Sequence, residues 1–299
     1  MHQIDLDKLA SEQALNDWYE IIRIKSELTV LRSAPSAEGS SASAAVLEAR
    51  RKLVEQYQEI RKRQSAYERP QVRMGPTAFG PSGCGASLLR PKDIDRWRRV
   101  NPDAPGTHGT IRQTAVEQEY GLVEFDADLT KSVAVGSNDY STWMLQWVYV
   151  YVFPAPVVKS RLHYTFRLWP NTWWFTETNN RRVVIMLHVG IEHVPSLGSV
   201  GGPLYDELWP VIIDTDRPEY GPYGYPSGFP IDVSGSFAVG VGKTPALALF
   251  PGVFVNVPKG LVELPRGSFW VSNEFPADTT DQDRWGWISY CMEPEDVVE

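Results

Sequence analysis

Between residues 5 and 32 the apolar positions recur at steps of three and four: Ala10, Ala14, Ile21, Ile24, Leu28 and Leu31, with one gap at Asp17. Leu15, Trp18 and Ile22 widen this stripe beyond a minimal coiled-coil seam. Residues 44 to 67 repeat the pattern with Val46, Leu53, Tyr57, Ile60 and Tyr67, while Arg50 and Gln64 occupy intervening seam positions. Both runs lack internal Gly and Pro, which favours uninterrupted helices. Ser33 to Ala42 holds the early Pro35 and Gly39, so it reads as a reversal, and Ser43 reads as the N-cap of the second helix. The pattern predicts an antiparallel pair roughly 35 to 40 Å long, at 1.5 Å per residue. A pair with so broad a stripe needs a cover, which is either further copies of itself or the rest of the chain.

Beyond residue 70 the period changes. Trp143 to Phe153 is apolar at odd and even positions alike, which predicts a strand covered on both faces. Arg161 to Leu168 alternates Leu162, Tyr164, Phe166 and Leu168 with Arg161, His163, Thr165 and Arg167, so one face is core and the other wet or functional. Further strands are expected at residues 122–126, 183–194, 211–214, 235–241, 246–250, 253–257, 261–264, 268–275 and 285–291. They are short, punctuated by Gly and Pro, and not separated by amphipathic helices, which disfavours parallel α/β and favours an antiparallel sandwich or jelly roll. No fixed-period repeat is visible.

The Gly and Pro distribution sharpens the division: 44 of 46 lie from Pro70 onward. The expected class is α+β by segregation, with an N-terminal antiparallel α-helical, coiled-coil-like hairpin (1–69) that oligomerises. An extended Gly/Pro/Arg-rich connector (70–115), with a short helix around residues 91–100, leads to a mainly antiparallel β-sandwich or jelly-roll domain (116–299). At 42% apolar and 22% charged residues the chain can bury a core, so wholesale disorder is excluded. No apolar run reaches transmembrane length, and the N-terminus lacks a basic and an apolar leader region. Two cysteines, Cys84 and Cys291, are too few for a disulfide framework or a four-cysteine zinc site. These features predict a soluble chain of a reducing, cytoplasmic setting, or one released without a signal peptide.

Charge is uneven. Residues 1–100 carry net +4 and residues 101–299 net −12. Basic side chains crowd the second helix and its exit (Arg50, Arg51, Lys52, Arg61, Lys62, Arg63), which suits a solvated face, pairing with an acidic partner or, as a weaker alternative, nucleic acid.

Candidate chemistry is sparse. His188-Val-Gly-Ile-Glu192-His193 lacks the helical zinc spacing; on a strand, His188 and Glu192 share one face and His193 takes the other. With His163 from a neighbouring strand, His188 and Glu192 would make a metal or acid–base pocket. Gly240-Val-Gly-Lys-Thr244 lacks the first glycine of a phosphate loop and runs into Pro245, so it reads as a turn. Asp214, Asp216 and Glu219, and the acidic run 278–283, offer oxygen ligands without a complete calcium pattern. No serine elbow or cysteine–histidine pair is present, and no cofactor is expected.

Aromatic residues are the stronger signal, with 29 of 35 beyond residue 100. Two clusters read as loops: Trp169, Trp173 and Trp174 in 169–175, and Tyr220, Tyr223 and Tyr225 in 219–229. Such rings offer flat apolar faces with polar edges, suited to a glycan or a protein partner, or they cap the sandwich. The combined expectation is a non-enzymatic assembly or binding protein that self-associates through its hairpin, as a virion, tail, toxin or other particle component would. The alternative is a β-barrel enzyme built on His163, His188 and Glu192.

Overall fold

The computed structural model describes residues 16–17, 20–21, 23–25, 27–28, 41–64, 71–74, 87–100, 102, 106–132, 141–178, 183–198, 205–213, 223–224, 231–257, 260–272 and 286–295. Its helix α1 spans Ser41–Gln64. The strands are β1 (Gln71–Met74), β2 (Ser87–Leu89), β3 (Asp93–Val100), β4 (Thr107–Glu117), β5 (Leu122–Lys131), β6 (Ser141–Val152) and β7 (Ser160–Thr178). They continue with β8 (Val183–Val194), β9 (Tyr205–Ile213), β10 (Tyr223–Gly224), β11 (Ile231–Val239), β12 (Ala246–Val257), β13 (Gly260–Ser272) and β14 (Ile288–Pro294). A nine-stranded sheet runs β1-β11-β7-β13-β5-β4, with β10 and β14 added to β7 and β2 to β14; a five-stranded sheet runs β3-β6-β12-β8-β9. Every pairing is antiparallel.

The two sheets face one another. Trp143, Leu145, Trp147, Tyr149 and Tyr151 of β6 and Leu247 and Leu249 of β12 meet Phe125 of β5, Leu162, Tyr164 and Phe166 of β7 and Phe269 of β13 in one buried core. The even positions of the same strands, Met144, Val148 and Val150 on β6 and Ala246, Ala248 and Phe250 on β12, belong to a second cluster. That cluster also holds Ile21, Ile24, Leu53 and Ile60, with Leu28 and Tyr57 packed against it. The apolar stripe of α1 therefore shares one buried cluster with Ile21, Ile24 and the outward face of the five-stranded sheet. This arrangement explains how a strand can be apolar on both sides.

The expected fold class needs correction. The chain is mostly β, its sheets curled into a half-barrel, with one helix of seven or more residues and no helical hairpin or coiled coil among the described residues. The physical reason is the cluster just described: a stripe buried within its own chain is not a free seam for a stalk. Asp17 and Arg63 pair at 2.6 Å beside this contact, and Arg23 reaches Gln56. The basic side chains of α1 are also engaged, Arg51 by Glu48 and Glu55 and Lys62 by Glu59.

The connector expected over 70–115 is likewise not irregular throughout. It contributes β1, β2, β3 and most of β4, and residues 93–100 form an edge strand on β6 where a short helix was expected. Cys291 is disulfide-bonded, and Cys84 is the one other cysteine of the sequence.

Candidate functional site

Strand β7 organises the candidate site. Its 19 residues pair with four strands of the nine-stranded sheet, β10, β11, β13 and β14. Leu162, Tyr164, Phe166 and Leu168 enter the core, so the alternate positions Arg161, His163, Thr165, Arg167 and Trp169 fall on the outward side. Arg167 stands opposite Asp232 of β11. Its Nε donates to Asp232 Oδ1 at 2.6 Å and a terminal nitrogen donates to Oδ2 at 3.1 Å, with the two side chains 5% and 0% exposed. The planar fork matches the carboxylate, which makes the charged pair tolerable out of water and pins the β7–β11 register.

One step further along the same row, Trp169 stands opposite Trp270 of β13. Their rings lie 12° from parallel with centroids 6.2 Å apart, and both residues are half-buried. The two form a stacked, half-buried aromatic pair on the outward face.

The remaining aromatic candidates extend from it. Residues 169–175 are strand rather than loop: Trp173 has the parity of Trp169 on β7, and Trp174 the opposite parity. The second aromatic segment joins the first through β10, where Tyr223 pairs with Phe175 and Gly224 with Trp174. Two described positions of the second cluster thus become strand neighbours of the first, some fifty residues away in sequence. On the other side of β7, Phe175 stands opposite Glu263 of β13, which in turn stands opposite Asp128 of β5. Glu263 and Asp128 line a shallow depression of about 400 Å³ together with Thr110 and the ion-paired Arg112 and Asp126. Tyr220 and Tyr225 lie outside the described residues, as do Asp214, Asp216 and Glu219. Among the described residues no group of three or more His, Cys, Asp or Glu is placed to hold a metal.

His163, His188 and Glu192 are not brought together. His163 lies on β7 opposite Cys291 and Ser236, with Nε2 3.3 Å from Glu293. His188 and Glu192 lie on β8 in the other sheet, opposite Gly252 and Ala248 of β12. Glu192 is fully buried, neither carboxyl oxygen has a hydrogen-bond partner, and burial pushes its pKa up to about 9. His193, on the opposite face, points into the sandwich: Nε2 is 2.7 Å from the Tyr164 hydroxyl and the ring stacks on Phe237. Burial lowers its pKa to about 4, so it is neutral at pH 7. The Gly240–Thr244 segment is the turn between β11 and β12, with Lys243 N donating to Gly240 O.

Sequence reasoning missed Trp270, Asp232 and Glu263 as members of this face. Trp270 was visible as an aromatic at alternate spacing to Phe269 and Val271, but its partner Trp169 is a hundred residues away. Asp232 carried no signal beyond a polar residue at a strand position.

No protein-family model matches the chain, and no curated protein matches it. Among solved structures, a carbohydrate-binding module in complex with beta-1,4-galactotriose aligns at 11% identity and TM-score 0.20, covering 60% of this chain and 88% of that one. A lipoprotein of Bacteroides thetaiotaomicron aligns at 10% identity and TM-score 0.21, covering 76% and 96%. TM-scores of this size are too low to assign a shared fold.

Proposed function

We propose that this chain is a non-enzymatic β-sandwich binding protein that takes a glycan on the outward face of its nine-stranded sheet. The observation that carries the reading is the Trp169–Trp270 pair, two near-parallel half-buried rings on a rigid pair of strands. A sugar ring has an apolar face and a polar rim, so it is held by a flat ring beneath and by hydrogen-bonding groups beside it. Tyr223 on β10, Glu263 on β13 and Asp128 on β5 stand in register with the Phe175 end of β7, six residues or about 20 Å along the strand from Trp169, so they would meet a further unit of a longer glycan chain. Strands hold such groups more firmly than loops do, which lowers the ordering cost of binding. The separation of His163 from Glu192 gives the acid–base alternative no comparable support.

A glycan array followed by calorimetry on the best ligand tests the reading. Trp169→Ala and Trp270→Ala should each weaken binding about tenfold or more while the β-sheet circular dichroism is kept. Undiminished affinity in both variants, or no glycan bound by the unaltered protein, overturns it.

A further inference from the structure

Glu192 occupies a position that no binding role uses. Val189 and Ile191 face the inter-sheet core, whereas Glu192 and Val194 share the other face of β8, against the helix layer. Its cross-strand neighbour Ala248, the next residue along that row, Val150, and the adjoining Ala246 and Val194 all belong to the cluster that packs against Leu53, Ile60, Ile21 and Ile24. A carboxyl has thus been buried in an apolar contact with both oxygens unpartnered. Its charged form has no compensation there, and an uncompensated buried charge costs several kcal/mol.

Among the described residues nothing is placed to relieve it. On β6 and β12 the positions around it are Val150, Val152, Ala246 and Ala248, none of which ionises. The register of β9 on β8 ends at Tyr205 opposite Ile191, so no β9 residue pairs with Glu192. On the helix side, Asp17 is held by Arg63, Glu20 and Glu27 by Arg23, and Arg61 donates to the Tyr57 hydroxyl; Lys25 has an interaction of its own.

We propose that Glu192 is a protonation latch for the helix layer: its neutral carboxyl lets the layer seat on the five-stranded sheet, and its ionisation releases the layer and uncovers the sheet's apolar outward face. Seated, the carboxyl ionises only near pH 9, and released it returns to the ordinary value of 4.5. A group whose pKa is raised in the seated state favours seating in full below about pH 4.5, and that preference is lost as pH rises towards 9. Between those limits seating weakens about tenfold per pH unit.

Hydrogen–deuterium exchange of the full chain from pH 5 to 9, corrected for the intrinsic pH dependence of exchange, tests the latch. Protection over Ser41–Gln64 should fall about tenfold per pH unit in the unaltered protein and stay level in Glu192→Gln, while β6 and β12 remain protected in both. Should Glu192→Gln not fold, Glu192→Leu makes the same comparison with an apolar side chain. Level protection in the unaltered protein, the same slope in the neutral variant, or loss of protection in β6 and β12 in step with α1 overturns the proposal.

Discussion

Tyr164 of the nine-stranded sheet and His193 of the five-stranded sheet share a 2.7 Å hydrogen bond across the buried interior of the sandwich. It is one of the polar ties between the layers, beside Tyr149, whose hydroxyl donates to Phe269 O, and Trp147, whose Nε1 donates to Gln113 Oε1. Room for the tyrosine comes from Gly235, its cross-strand neighbour: a Cβ there would lie 2.4 Å from the Tyr164 hydroxyl. Tyr164→Phe should therefore cost about 1–3 kcal/mol, the usual penalty for leaving a buried polar partner behind. Gly235→Ala, which pushes the hydroxyl off the histidine, should cost at least as much. Urea unfolding followed by tryptophan fluorescence measures both.

The same histidine sets an acid limit. Burial lowers the folded pKa of His193 to about 4 from an ordinary 6.5, so the unfolded chain binds the extra proton first as pH falls. Stability is complete above about pH 6.5 and declines as pH drops towards 4, by on the order of 3 kcal/mol from this group. Glu192 acts with the opposite sign, its contribution falling as pH rises above 4.5. The two slopes offset one another between pH 4.5 and 6.5, so the urea midpoint should be level there and fall on either side. In His193→Gln that level stretch should become a gain as pH drops from 6.5 to 4.5.

Arg167 and Asp232 make the third test. With both side chains buried and bonded in two places, removing one leaves an uncompensated charge. Asp232→Ala should cost about 3–5 kcal/mol, whereas Arg167→Met combined with Asp232→Leu should recover most of that loss. A double-mutant cycle by chemical denaturation reads the coupling directly. If the pair also orients the strand that carries Trp169, the single variants should weaken glycan binding and the double variant should restore it.

These relationships differ in how far the sequence foretells them. The alternation of Arg161 to Leu168 is local, and β7 follows it, with Tyr164 inside and Arg167 outside. The doubly apolar run of β6 and the broad stripe around Leu53 and Ile60 are also local, but that both enter one buried cluster is a long-range fact. Period alone leaves the choice between a self-associating seam and a sheet-bound helix open. Residues 93–100 hide their strand because an edge strand needs little apolar surface: Ile94 alone among the described side chains there is buried, and the charges of Asp93, Asp95 and Arg96 mask any period. Pro170 and Asn171 make 169–175 look like a turn, yet pairing with Phe269 and Ser268 of β13 carries the strand through them. The parity of Glu192 and His193 could be read from the strand, but neither what covers the carboxyl nor the tyrosine that meets the imidazole lies near them in sequence.

Gly267 gives the last test, because it measures how tightly the aromatic core is built. It stands opposite Phe125 beside the irregularity in β13, and the phenyl ring lies over it: a Cβ at Gly267 would fall 2.2 Å from Phe125 Cζ. That ring is held elsewhere by Trp147 at 5.4 Å and Phe269 at 5.9 Å, so it cannot retreat without opening both contacts. Overpacking of this kind costs about 1–3 kcal/mol, and the disturbed ring contacts add to it. Gly267→Ala should therefore destabilise by about 2–4 kcal/mol by urea unfolding. Phe125→Leu should also destabilise, by leaving a cavity beside Trp147. Combined, the two should cost clearly less than their sum, since the added methyl group then occupies space the phenyl ring has vacated.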